Sequence, residues 1–229
     1  LGDVPLAAVE DAALAADVVV VAVPDDAMPE VVALVARGVR PGTTVVHTSG
    51  LHGAAVLAPC GERTAAVHPA QAIASAQTAL DGVWFGVTCP AAMRSWSEWF
   101  VAELGGIPVH VGEEERPRYH AALCIASNFA VALAGDAEDL LPDRALLAPL
   151  LRQTVENVVA LGADAALTGP VVRGDAGTVR AHLAALPPHL LPAYVANARR
   201  TLDRALRSGR LAPPDAADLA SVLGEALVP

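Results

Sequence analysis

The run Asp17-Val18-Val19-Val20-Val21-Ala22-Val23-Pro24-Asp25-Asp26 constrains the fold more than any other segment. It is a short, unbroken stretch of mostly β-branched residues, stopped by a proline and two aspartates. Such side chains suit a pleated surface, and a strand apolar on both sides belongs where both faces are covered, as in a parallel sheet flanked by helices. The pattern around it agrees. Residues 6–16 are expected to be helical, Ala-rich, with Leu6, Val9 and Leu14 on one side, and 26–37 helical again. Further strands are expected at 43–47, 63–68, 83–88 and 107–111, with a helix rich in large residues (Trp96, Trp99, Phe100, Leu104) before the last of them.

After Gly112 the strand-like runs stop. Residues 114–141, 144–161, 175–186, 189–208 and 215–227 all read as helices. Alternating strands and helices followed by pure helix imply two domains. The expectation is an α/β domain over 1–112, an N-terminally shortened Rossmann-type parallel sheet, and an all-α domain over 113–229.

A strand like 18–23 occupies the fourth position in a sheet of order 3-2-1-4-5-6, beside the strand that carries the phosphate-binding glycines. No G-x-G-x-x-G occurs in the 229 residues. Roughly 60 upstream residues, two βα units, are therefore expected in the natural protein. Without them the strand is left at an open edge.

Composition excludes several functions. The net charge of -10 argues against nucleic acid, whose phosphates need clustered cations. All 15 basic residues are Arg, so no lysine Schiff base or lysine acid is available. Aromatics are only 3% of the chain, so the core must be Ala, Val and Leu. Cys60, Cys89 and Cys124 show neither a metal spacing nor a disulfide framework, as expected of reduced thiols in a cytoplasmic protein. No unbroken apolar run reaches the ~18 residues of a membrane span, so no membrane partner is expected.

Ligands of open α/β sheets bind at the carboxyl ends of the strands. Three such ends carry polar or turn residues: Val23-Pro24-Asp25, His47-Thr48-Ser49-Gly50 and His68-Pro69-Ala70-Gln71. Turns need Gly, Pro and Ser in any case, so each piece alone is weak. In the helical part, Tyr119 and His120 precede Cys124, Ser127 and Asn128, and 120, 124, 127 and 128 share a helix surface. An imidazole can donate a proton near neutral pH and a carboxamide can orient a carbonyl; the plainer reading is a helix with one buried His. In Thr168-Gly169-Pro170-Val171-Val172-Arg173-Gly174-Asp175, Asp175 is placed as a helix cap. Arg173 offers a fork for a carboxylate, or is a surface charge.

The strings ADVVVVAVPDDAM, VVHTSGLHG, AVHPAQAI, YHAALCIASNFAVAL and ALTGPVVRGDAGTVRAHLAAL resemble the Rossmann-like proteins that carry the C-terminal domain of unknown function DUF2520. The resemblance runs from about residue 15 to about residue 208. It implies an NAD(P)-binding domain and a helical domain similar to that of 6-phosphogluconate dehydrogenase, with ketopantoate, pyrroline-carboxylate and prephenate enzymes as relatives. The family's glycine turn has no counterpart here. Many relatives present a Lys and an Asn to the substrate; here His120 with Asn128 is the nearest substitute.

The expected function is hydride transfer between NADP, or NAD, and a small keto acid or imine, in a ketopantoate-reductase-like reaction. Val23, Pro24, Asp25, Thr48, Ser49, Gly50 and His68 are expected around the cofactor. His120 is expected to act as proton donor, Ser127 and Asn128 to orient the carbonyl, and Arg173 to hold a carboxylate. A homodimer through the helical domain is expected. The alternatives are a non-catalytic nucleotide-binding or scaffold protein, and a hydrolase using Ser49 with His47, His52 or His68. The hydrolase lacks the G-x-S-x-G elbow. A zinc site from His47, His52 and Cys60 fits no common spacing.

Overall fold

The computed structural model describes residues 6–226. It divides into two compact units, Leu1–Val131 and Ala132–Pro229.

The first unit is a five-stranded sheet in the order β1-β2-β3-β4-β5. The strands are β1 (Val18–Val21), β2 (Thr44–His47), β3 (Thr64–Pro69), β4 (Trp84–Thr88) and β5 (Ile107–His110). The first three are mutually parallel. β4 pairs antiparallel with β3, His68 opposite Gly86, and β5 is parallel to β4. The sheet is thus mostly parallel, and its direction reverses once. No helix lies between β3 and β4, and a parallel neighbour requires a crossover connection.

Side chains alternate across the sheet with a period of two. Val21 and Val45 join Met28, Val32 and Val35 of α2 (Met28–Gly38), Ala13 of α1 (Val9–Ala15) and Leu57 in one core. Val46, Ala65, Val67, Phe85 and Val87 face Val101 of α3 (Arg94–Glu103), with Trp96 and Phe100 at the margin. α1 buries Ala13, while Leu6 and Leu14, expected to face the core, are exposed. Leu6 precedes α1 rather than lying on it. α1 approaches α2 closely: a Cβ on Gly38 would collide with the backbone of Glu10.

β1 lies at the edge. Its Val18 and Val20 are 41% and 52% exposed, while Val21 is buried. This is the open apolar edge expected from the sequence.

The last strand ends at His110, but the first unit continues through α4 (Arg116–Ala126) to Val131. Ser127 interrupts the expected helix 114–141, and α5 (Asn128–Leu140) follows it. By length and composition alone, the helical stretch Glu113–Leu140 could cross a bilayer. No unbroken apolar run of that length is present in the sequence, because Ser127 and Asn128 interrupt the stretch that begins at Ala121 and Asp136 ends it.

The second unit contains α6 (Leu147–Leu161), α7 (Ala163–Ala166), α8 (Ala176–Ala185), α9 (Leu191–Arg207) and α10 (Pro213–Glu225). Its core joins Val179 of α8, Val195, Leu202 and Ala205 of α9, and Leu219 and Leu223 of α10 to Val171 and Val172 of the preceding turn. Asp175 caps α8, its carboxylate accepting from the Thr178 amide at 2.9 Å and from the Thr178 hydroxyl at 2.6 Å.

Candidate functional site

Within the first unit, the ends of β2 and β3 meet α4. His47 closes β2, fully buried. Its Nδ1 accepts from the Ser49 amide at 3.1 Å, and its Nε2 faces the Gly53 carbonyl at 2.9 Å. With Nδ1 accepting, Nε2 carries the proton, which is the neutral tautomer. Burial, first of all, lowers the pKa of His47.

The turn that follows is set by Ser49, whose Oγ accepts from the amides of Leu51 (3.1 Å) and His52 (3.0 Å). Both contacts are to backbone amides rather than to an imidazole, which is the geometry of a turn and gives the hydrolase reading no base. His52 Nε2 lies 3.2 Å from the Asp25 carbonyl and ties the turn after β1 to the same edge. Val23 packs on the α2 side of the sheet, Pro24 is exposed and Asp25 is half-buried. Thr48 continues the parallel pairing, its amide 3.2 Å from the Val21 carbonyl.

Gly50 shows why the sequence has no side chain there. A Cβ would lie 2.6 Å from Cδ2 of His120 and 2.9 Å from Nε2 of His68. The rings of His68 and His120 pack edge to face at 5.9 Å. His68 Nδ1 is 3.0 Å from the Tyr119 hydroxyl. Burial, then the charges of Arg116 and His120, push the His68 pKa down to about 4. His68 is therefore neutral at pH 7. Burial also raises the pKa of Tyr119.

Arg116 lies beneath this group, fully buried. Nε donates to Thr88 Oγ1 at 2.7 Å, Nη2 to the carbonyls of Ala66 (3.0 Å) and Gly86 (3.1 Å), and Nη1 to the Ser49 carbonyl at 3.4 Å. Every acceptor is uncharged. Among the described residues no carboxylate comes within ion-pair distance of this guanidinium. A buried cation without an anion is costly, and such groups cluster at functional sites.

Two hollows open on this edge. One, about 600 Å³, is lined by His68, Gln71, His120, Cys124, Ser127 and Asn128, among others. The structure thus gathers His120, Ser127 and Asn128 with His68 at one cleft. Cys124 Sγ is 3.8 Å from His120 Nε2, and Ser127 Oγ donates to Asn128 Oδ1 at 2.7 Å. The other, about 440 Å³, is mostly apolar, with Val20, Val46, Thr48, His68, Ile73 and Phe85 in its wall. His68 belongs to both. Arg173 lies in the second unit, exposed, in the turn before α8.

Sequence reasoning missed Arg116 and gave Tyr119 no role. The string Glu115-Arg116-Pro117-Arg118 held two candidate arginines, and only the phase of α4 shows which turns inward. Gly86 was a usable signal, since an interior strand glycine often marks close approach of another group. A Cβ there would lie 2.5 Å from the Tyr119 hydroxyl oxygen. The zinc reading finds no support, as no cluster of three or more metal-ligating side chains forms among the described residues.

Fold and site together define a Rossmann-like α/β unit with its candidate site at the strand ends. Residues 1–69 match the Rossmann-like domain, and residues 83–201, just over half of the chain, match the domain of unknown function DUF2520. The chain belongs to the DUF2520 family. No curated protein matches it significantly. Among solved structures, the fold is similar to a candidate NADP oxidoreductase from Bacteroides fragilis (TM-score 0.73, 22% identity, covering 82% of this chain and 76% of that one). It is similar to a Thermotoga maritima protein (0.58, 22%, 90% and 76%). It is also similar to pyrroline carboxylate reductase from Plasmodium falciparum, solved with NADP bound (0.52, 13%, 96% and 80%). At these identities the likeness is one of fold.

Proposed function

We propose that this protein is a nicotinamide-dependent oxidoreductase that reduces, or forms by oxidation, a small keto acid or an imine. The observation that carries this reading is the pairing of two hollows across His68. One is apolar and lies at the strand ends, and the other is more polar, with His120, Ser127 and Asn128 in its wall. The apolar hollow fits a flat ring with one polar edge, which describes a nicotinamide. Thr48, Ser49, Gly50 and His68 would hold that ring, with Val23, Pro24 and Asp25 alongside at the end of β1. No residue is assigned to the diphosphate, because the glycine fingerprint is absent from the sequence. When bound, the cofactor supplies or accepts the hydride.

The chain's own residues do the rest. Asn128 and Ser127 orient the carbonyl or imine, and the His68–His120 pair handles the proton, a role worth typically 10²–10⁴-fold in rate. The names of the fold's neighbours, an NADP oxidoreductase and a pyrroline carboxylate reductase, favour NADP and make cyclic imines a substrate class to test beside keto acids such as ketopantoate. The test is loss of NADPH or NADH absorbance with a panel of both classes. Turnover with any member supports the reading. Tight cofactor binding without turnover across the panel favours a non-catalytic nucleotide-binding protein.

A second copy of the chain is proposed as the partner of α5 and α6. α5 has no buried residue, and α6 buries only Leu147 among its 15 residues. Leu150, Val155, Val159 and Leu161 of α6 are all at least 60% exposed. Helices draw most of their stability from packing of an apolar face, so this face calls for a cover.

A further inference from the structure

We infer that Tyr119, acting through His68, delivers the proton of the reaction proposed above, and that Arg116 is the fixed counter-charge of this relay. The inference rests on the oxidoreductase reading for its chemistry, but its geometry stands apart. The Tyr119 hydroxyl is 3.0 Å from Nδ1 of His68, and the two rings meet edge to face at 89°. The guanidinium carbon of Arg116 is 5.7 Å from the centre of the Tyr119 ring. Gly86 lets the phenol sit this low on the sheet. With Tyr119 donating to Nδ1, the proton of neutral His68 is on Nε2. That atom lies beside Gly50, and the His68 ring lines both the substrate cleft and the apolar hollow.

The proton balance closes. Nε2–H of His68 breaks as its proton passes to the substrate oxygen or nitrogen. The Tyr119 O–H breaks and its proton passes to Nδ1, so His68 never becomes an imidazolate. The charge left is a tyrosinate, and the relay resets when solvent protonates Nε2 of His68 and the Nδ1 proton returns to the Tyr119 oxygen. This places the negative charge beside Arg116, whose four hydrogen bonds all go to neutral acceptors. A buried cation without a partner is thus matched only when the relay has fired.

The second unit holds an internal control. His182 Nδ1 is 2.8 Å from the Tyr194 hydroxyl, again edge to face. Both residues lie outside the proposed site, and among the described residues no guanidinium lies over that ring.

The test has two arms. In the intact protein, ¹⁵N NMR of labelled histidine reads the His68 tautomer without any substrate. Nε2–H at pH 7 is expected, and a shift toward a tautomer mixture in Tyr119→Phe. A protonated His68 or an Nδ1–H tautomer overturns the inference. In turnover, Tyr119→Phe is expected to lower kcat about 10²-fold with KM changed far less, while Tyr194→Phe leaves both unchanged. Full kcat in a folded Tyr119→Phe variant overturns it. If the unmodified protein reduces nothing, the oxidoreductase reading fails, and with it the relay's catalytic use. The NMR arm then still decides whether the pair is set as described.

Discussion

The Tyr119 hydroxyl and Nδ1 of His68, 51 positions apart in the chain, lie 3.0 Å from each other and join α4 to the end of β3. Burial and the nearby Arg116 and His120 charges hold the His68 pKa at about 4 against an ordinary 6.5, and burial lowers His47 as well. Below pH 6.5 the unfolded chain therefore binds protons that the folded one refuses. Stability rises with pH wherever the unfolded state binds more protons. The first unit should lose stability as pH falls from about 6.5 to about 4, by about 2 kcal/mol from His68 after allowance for its partial solvent access. Urea melts across this window check it. His68→Gln should flatten the slope, and an unchanged slope would show that His68 does not titrate this way.

Arg116 bridges the turn after β2 to β3 and β4 through the Ser49, Ala66 and Gly86 carbonyls and the Thr88 hydroxyl. Arg116→Met removes these donors and strands buried carbonyls, at a cost of about 3 kcal/mol. Arg116→Lys should recover little, since a single ammonium cannot reproduce the planar fork. Urea unfolding of both variants measures it, and a Lys variant as stable as the parent contradicts this account.

The close approach of α1 and α2 gives a control away from the site. Gly38→Ala drives a Cβ into the Glu10 backbone, which cannot swing aside as a side chain can. We expect a loss of about 1–3 kcal/mol from overpacking, with no direct effect on ligand binding. Thermal melts beside ligand titrations separate the two effects.

Much of the fold was legible because local pattern dictates it. The runs 18–23 and 63–68 carry β-branched or small apolar residues that suit strands; β1 falls within the first, and β3 starts in the second and runs one residue past it, to Pro69. The reversal at β4 was harder to see. It depends on the stretch 70–83 forming no helix, which a pattern of apolar residues alone does not decide. His68, Ser49 and His120 were visible as polar groups at strand ends and on a helix. The pairing of Tyr119 with His68, and the burial of Arg116 rather than Arg118, depend on how α4 lands on the sheet. No local spacing records that.

The exposed apolar face of α6 predicts an assembly. Val159 is 82% exposed, so Val159→Arg removes little packing within its own unit. Light scattering should show a dimer for the parent chain and a monomer for the variant, with the melting temperature of the separated variant reporting what the interface contributes. A monomeric parent would show that something other than a second copy covers this face.

The most direct test of the central claim is a fluorescence titration of NADPH and NADH into the parent chain and into Gly50→Val. The account predicts saturable binding to the parent. It predicts loss of that binding in a folded variant, whose side chain would displace His120 and also His68, which lines the apolar hollow. Equal binding by both proteins, or none by the parent, would contradict it.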